Sequence, residues 1–257
     1  LYKGLPMHKK HLVLILLIGL PFLWATFVNP PPARAATITV DTPTDESLLD
    51  PDNNTCSIRE AIQAANTDTA VDTCTAGSGA DTIDFSVSGT IDMTASGDGE
   101  AFIISVVTID GGDNIILDGG GSPSGTRFFN VSGTGNLTLD AITLQNGYTS
   151  GSGGAINVQG GGALTITNSS ILNNSADSNG GAIESNGSLT ITNVVFNGNS
   201  VGGDGGAIHQ SSSFSMNVTT SAFINNTAGT NASNTDGSGG AIFHNGAFSG
   251  PSDISAS

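Results

Sequence analysis

From residue 137 onward the chain alternates apolar and polar positions in short runs, and the runs recur. LTLDAITLQNG begins at Leu137, LTITNSSILNN at Leu164, LTITNVVFNGN at Leu189 and MNVTTSAFINN at Met216, at intervals of 27, 25 and 27 residues. Leu164 and Ile166 fall on one side with Thr165 on the other, as do Leu189 and Ile191 with Thr190, the period of two of a half-buried strand. Each run is followed by the tetrapeptide GGAI, at Gly153–Ile156, Gly180–Ile183, Gly205–Ile208 and Gly239–Ile242. Turns rich in Asn, Gly and Ser separate the apolar pieces, and no helical stretch of about 10 residues fits between them. Three short strands in each stretch of roughly 25 residues predict a parallel β-solenoid. Stacking coils about 4.8 Å apart turns each recurring position into a column. Four inward columns are expected: Leu137, Leu164, Leu189, Met216; Leu139, Ile166, Ile191, Val218; Leu144, Ile171, Phe196, Phe223; and Ile156, Ile183, Ile208, Ile242.

The same style continues upstream in looser register over residues 82–93, 102–117 and 128–131, so the tube is expected over residues 81–257. An open solenoid end exposes strand edges and an apolar cross-section, and therefore needs a cap. Residues 36–80 contain TCSIREAIQAAN, where Ser57 and Glu60 have the spacing of a capping box. Ile58, Ala61, Ile62 and Ala65 form one apolar helix face, and Asn66 is a plausible stop. Arg59 beside Glu60 invites a catalytic reading, but capping accounts for Glu60 and nothing else reactive accompanies the pair. The chain ends at Ser257 inside the coil that Gly239 opens, so a truncated C-terminus is expected. A polar insert near residues 229–236 delays the fourth GGAI and is the expected variable contact loop.

Residues 1–35 change the picture of where the protein resides. After Met7, Lys9 and Lys10 precede an apolar run over residues 12–28, then Ala33-Arg34-Ala35, a small-x-small cleavage site. That arrangement predicts a signal peptide, with a mature start near Ala36 and a secreted or cell-surface destination. Beyond it stand only Arg59 and Arg127 against 22 Asp and Glu, a formal charge of −20. Such a chain repels nucleic acid and anionic lipid, so no nucleic-acid partner is expected. Membrane contact is expected only through the signal peptide or a missing C-terminal anchor. Cys56 and Cys74 both lie in the exported part, where a disulfide is expected to form.

Two resemblances rest on these residues. TCSIREAIQAAN with the following GADTIDF resembles the bacterial surface-protein domain named for its Cys-Ser-Leu-Arg-Glu-Ala (CSLREA) signature, with Ile58 in place of the leucine. The GGAI repeats, paired with Phe196-Asn197-Gly198-Asn199 and Phe223-Ile224-Asn225-Asn226, resemble the polymorphic outer membrane protein repeats. Ile171-Leu172-Asn173-Asn174 fits with Ile for Phe, whereas the first repeat departs, with Leu144 opening it and Gly147 in the asparagine position. The second resemblance implies a right-handed parallel β-helix, pectin-lyase-like, of the kind displayed by autotransporters. It implies adhesion to glycans or proteins of host or neighbouring cells, and no enzyme.

The rival is a polysaccharide lyase or glycoside hydrolase with its site on the tube or beyond residue 257. A polyuronate lyase needs a base and several cations to hold carboxylates, and after Arg127 the chain has no Lys or Arg. A hydrolase needs paired carboxylates; the candidates are Asp177, Glu184, Asp204 and Asp236. Glu184 and His209 each follow a GGAI and share one outward column, so they form either an acid–base couple or, as the preferred reading, two solvated side chains. Asn174, Asn199 and Asn226 predict an amide ladder between coils. No cofactor is expected; turn Asp and Asn residues are compatible with calcium, without the nonapeptide calcium repeat. The paired glycines Gly153-Gly154, Gly180-Gly181, Gly205-Gly206 and Gly239-Gly240 are read as structural corners where a Cβ would obstruct.

Overall fold

A computed structural model describes residues 35–49, 53–211, 214–229 and 239–245. The signal peptide but for its last residue, the insert from residue 230 onward and Asp236 lie outside these residues. The described chain is an all-β, right-handed parallel β-helix of about five turns with one short helix. Its longest sheet runs Thr37–Val40, Ala80–Phe85, Val106–Asp118, Asn136–Gln145, Ala163–Thr167, Ser188–Thr192, Met216–Thr219. A second sheet stacks Ala101–Ile103, Phe129–Val131, Ile156–Val158, Ile183–Ser185, Ile208–Gln210 and Ile242–His244. A short one joins Tyr148–Thr149, Ser175–Ala176 and Ser200–Val201.

Every pairing between these strands is parallel, and the inward columns match apolar residue to apolar residue. Leu139, Ile166, Ile191 and Val218 are Cα partners in succession. The column extends upstream through Ile109 and Ile83 to Ile38, and all of its members are buried. The column at Leu144 likewise continues down to Leu117 and Ile91. At its other end the rings of Phe196 and Phe223 stack with centroids 4.8 Å apart and planes within 2°. Each coil thus buries about four large aliphatic or aromatic side chains, each contributing roughly 1.5–3 kcal/mol of transfer free energy. The sequence reading starts the tube at residue 81. The structure places Thr37–Val40, on the far side of the helix, as the first strand of the same sheet.

The helix spans Ile58–Thr67 and packs against the strands nearest the tube's N-terminal end. Its capping box is complete: the Ser57 amide donates to Glu60 Oε2 at 2.8 Å, and the Glu60 amide donates to Ser57 Oγ. Ile58, Ala61, Ile62 and Ala65 are all buried. Asn66 does not end the helix; Asp68, in the left-handed region, does. The Asn66 side chain is used elsewhere, donating to the Phe102 carbonyl at 2.7 Å and accepting from the Ile104 amide at 3.0 Å, and so ties cap to coil. Arg59 is a second tie: its Nε meets Asp45 Oδ1 at 2.6 Å and its Nη2 donates to the Met93 carbonyl. Burial raises the Asp45 carboxyl above its usual range, while the Arg59 guanidinium opposes that rise. Cys56 and Cys74 form a disulfide across the cap.

Candidate functional site

Two places on the outer wall gather chemistry. The first is the pair singled out by sequence. Glu184 and His209 are Cα partners on adjacent strands of the second sheet, and Glu184 Oε2 lies 2.8 Å from His209 Nδ1. They are not solvated side chains, because only 10% and 8% of their side-chain surfaces are exposed. The turn that opens each GGAI lies against the same strand, so tightly that a Cβ on Gly180 would sit 2.9 Å from the Glu184 amide, and one on Gly205 3.0 Å from the His209 Cα. The next coil places the Phe243 ring on the imidazole, with centroids 4.9 Å apart and planes within 6°. A general acid or base has to reach a substrate. Here the carboxylate and ring nitrogen are spent on each other, one ring face is covered, and the pair links two coils.

The other sequence candidates are dispersed. Asp177 accepts from the Tyr148 hydroxyl at 3.1 Å. The Asp204 amide donates to Asn179 Oδ1 at 3.0 Å and its carbonyl accepts from the Gly180 amide, a turn arrangement. Among the described residues no group of three or more His, Cys, Asp or Glu is placed to hold a metal ion.

The asparagines form a continuous hydrogen-bonded column. Asn174 donates from its backbone N and its Nδ2 to Asn199 Oδ1, at 2.9 and 3.0 Å. Asn199 donates in the same two ways to Asn226 Oδ1, at 3.0 and 2.9 Å. Each Nδ2 also donates to the wall carbonyl of the preceding coil, at Leu144, Ile171 and Phe196. Gly147, at the asparagine position of the first repeat, takes part as a donor to Asn174 Oδ1 at 2.7 Å.

The glycine pairs divide their work. Gly180 has φ +62°, and a Cβ there would strike the carbonyl of its own Ile183. Gly181 faces along the tube axis, where a Cβ would strike the Gly206 carbonyl of the next coil. The first glycine therefore makes the corner and the second sets how closely coils stack.

The second gathering was not anticipated. Phe129 pairs with Ile156, so Thr126-Arg127-Phe128-Phe129 stands in register with Gly153-Gly154-Ala155-Ile156. Arg127 occupies the position that is glycine in all four later coils. At Gly154 a Cβ would strike the carbonyls of Gly181 and Ser175. At Arg127 the wall opens instead, because residues 119–126 leave the tube as a loop closed at its neck by the Thr126 amide on the Gly119 carbonyl, 2.8 Å. A cleft of about 510 Å³ results, lined by Glu100, Ser124, Thr126, Arg127, Tyr148 and Thr149 among others.

Its polar groups are held in a chain. Gln159 donates to Asn130 Oδ1 at 2.9 Å, and Asn130 Nδ2 donates to Glu100 Oε1 at 2.9 Å. Glu100 Oε2 lies 3.0 Å from Arg127 Nη1, and Arg127 Nη2 donates to Thr149 Oγ1 at 3.1 Å. Burial lowers the Arg127 guanidinium below its usual value, and Glu100 works in the opposite sense. Tyr148, beside them, is raised by desolvation and by its bond to Asp177. The signal in the sequence was available: Arg127 is one of two basic residues after Ala36, and it sits where GGAI fails.

Two segments, residues 168–186 and 193–211, match the family model described as the Chlamydia polymorphic membrane protein repeat. Each holds one rung of the asparagine column and one GGAI, so the match falls on the wall of the tube. No curated protein and no solved structure matches the chain.

Proposed function

We propose that this chain is an exported, surface-displayed protein whose β-helix is a scaffold and whose outward faces and loops contact glycans or proteins of other cells. The observation that carries the reading is the repeat match, because it lies on residues that build the tube wall. The proteins that give that repeat its description are membrane proteins. The acidic mature chain fits an exterior that stays soluble. The resemblance of residues 37–85 to the CSLREA surface-protein domain points the same way. Catalysis is not part of the proposal, since the Glu184–His209 pair is largely buried and its facing atoms are engaged with each other. The experiment is incubation of the chain with polygalacturonate and with neutral polysaccharides, following new reducing ends and unsaturated uronates. The proposal expects no turnover. Turnover that Glu184→Gln or His209→Ala abolishes would sink the non-catalytic reading.

A further inference from the structure

The cleft at Arg127 is where the tube departs from its own repeat, and the departure is costly. Arg127 Nε is buried and has no hydrogen-bond partner, a state that folded proteins seldom keep without a use. A link between coils does not require it, because at Gly154, Gly181 and Gly206 the equivalent position stacks directly on the backbone of the next coil. We propose that this cleft binds one residue of an uncharged saccharide, an inference that rests on the reading of the tube as a binding scaffold.

The chemistry selects the ligand. Glu100 and Arg127 neutralise each other, and Asp177 adds a negative charge behind Tyr148. A carboxylate or phosphate ligand would meet a site with no spare positive charge on a strongly acidic chain, and a cation would have to displace Arg127 from Glu100. A ligand with several hydroxyls suits the cleft, because each hydroxyl both donates and accepts. The carboxylate oxygens of Glu100 keep further lone pairs beyond Asn130 and Arg127; Thr126 Oγ1, which donates to the Arg127 carbonyl, can still accept, and Thr149 Oγ1, which accepts from Arg127 and the Gly151 amide, can still donate. Tyr148 supplies an apolar ring with a fixed polar tip. The network from Gln159 to Thr149 holds these groups before any ligand arrives, which lowers the ordering cost of binding. The volume falls in the range of small-molecule sites.

The test is saturation-transfer NMR on the full chain with the methyl glycosides of glucose, galactose and mannose, with glucuronate and glucosamine as charged comparators. At least one neutral glycoside should show transfer, and both charged sugars should bind more weakly. Tyr148→Ala and Arg127→Ala, each checked for an unchanged circular dichroism spectrum, should weaken that binding roughly tenfold or more, the scale of losing charge-assisted hydrogen bonds or an apolar platform. Asn217→Ala, at an exposed position on the other long sheet, should bind as the parent does. Should Arg127→Ala fail to fold, Tyr148→Ala decides, since its side chain lies on the outer surface. The proposal is overturned if no neutral glycoside shows transfer, if Tyr148→Ala binds undiminished, or if glucuronate binds at least as well. Such a result would leave display untouched, because exposure on intact cells is measured separately.

Discussion

Replacing Asn199 by alanine should be the most damaging small change in the asparagine column. Asn199 is wholly buried. Its Oδ1 accepts two hydrogen bonds from Asn174, and its Nδ2 donates to the Ile171 carbonyl and to Asn226 Oδ1. Asn199→Ala strands the Asn174 backbone amide and takes the side-chain donor from the Ile171 carbonyl, while Asn226 Oδ1 keeps the Asn199 backbone donor. A stranded buried group costs about 1–3 kcal/mol. One of them, with the other lost hydrogen bonds and a small cavity contribution, gives roughly 3 kcal/mol. With a urea slope of about 3 kcal/mol per molar, the midpoint should fall by about 1 M. Asn199→Asp should do no better, since a carboxylate oxygen would then face the Ile171 carbonyl and Asn226 Oδ1. The assay is urea unfolding followed by the strand signal in circular dichroism. The control is Asn217→Ala, an exposed position on Met216–Thr219, expected to shift stability by no more than about 0.5 kcal/mol. If Asn199→Ala unfolds at the same urea concentration as Asn217→Ala, the column is decoration and the reasoning is wrong.

Three further outcomes follow from the same contacts. Gly181→Ala places a Cβ against the Gly206 carbonyl of the next coil and should cost about 3 kcal/mol or more in urea unfolding. Losing the Cys56–Cys74 link by double serine substitution should lower stability by roughly 3 kcal/mol, the chain-entropy value for a loop of this length, read as a lower thermal midpoint. Burial raises the Glu60 carboxyl above its unfolded value, although Ser57 opposes the rise. Protons therefore bind the folded state more tightly. This share of stability is complete below about pH 4.3 and is lost as the pH climbs through the folded value. Glu60→Gln keeps the capping geometry, so the variant should gain on the parent between about pH 4 and pH 7, and parallel stability profiles over that window would refute the shift.

The inward columns were legible because each is written once per coil in the same residue type. A seven-residue ladder from Ile38 to Val218 shows how far that rule holds, and also where it was not seen. Thr37–Val40 was missed because the whole cap lies between it and its partner strand, so no local period announces the pairing. Glu184 and His209 were placed in one column correctly, but their burial was not foreseen. Against them lie the glycine turn that opens each GGAI and a ring from the next coil, neither of which has a polarity pattern. Asn66 looked like a stop because asparagine often ends helices; its side chain instead serves two backbone groups near residue 103. Arg127 was passed over as a lone cation. Its meaning depends on a register with Gly154 that becomes visible only once Phe129 is paired with Ile156.

The central claim is display, and labelling of intact cells tests it most directly. Asn217→Cys introduces a thiol at an exposed wall position, while the two native cysteines are already paired. Cells producing the full chain are treated with a membrane-impermeant maleimide before and after lysis. The account predicts equal labelling in both, as for a tube held outside the cell. Labelling that appears only after lysis would contradict it.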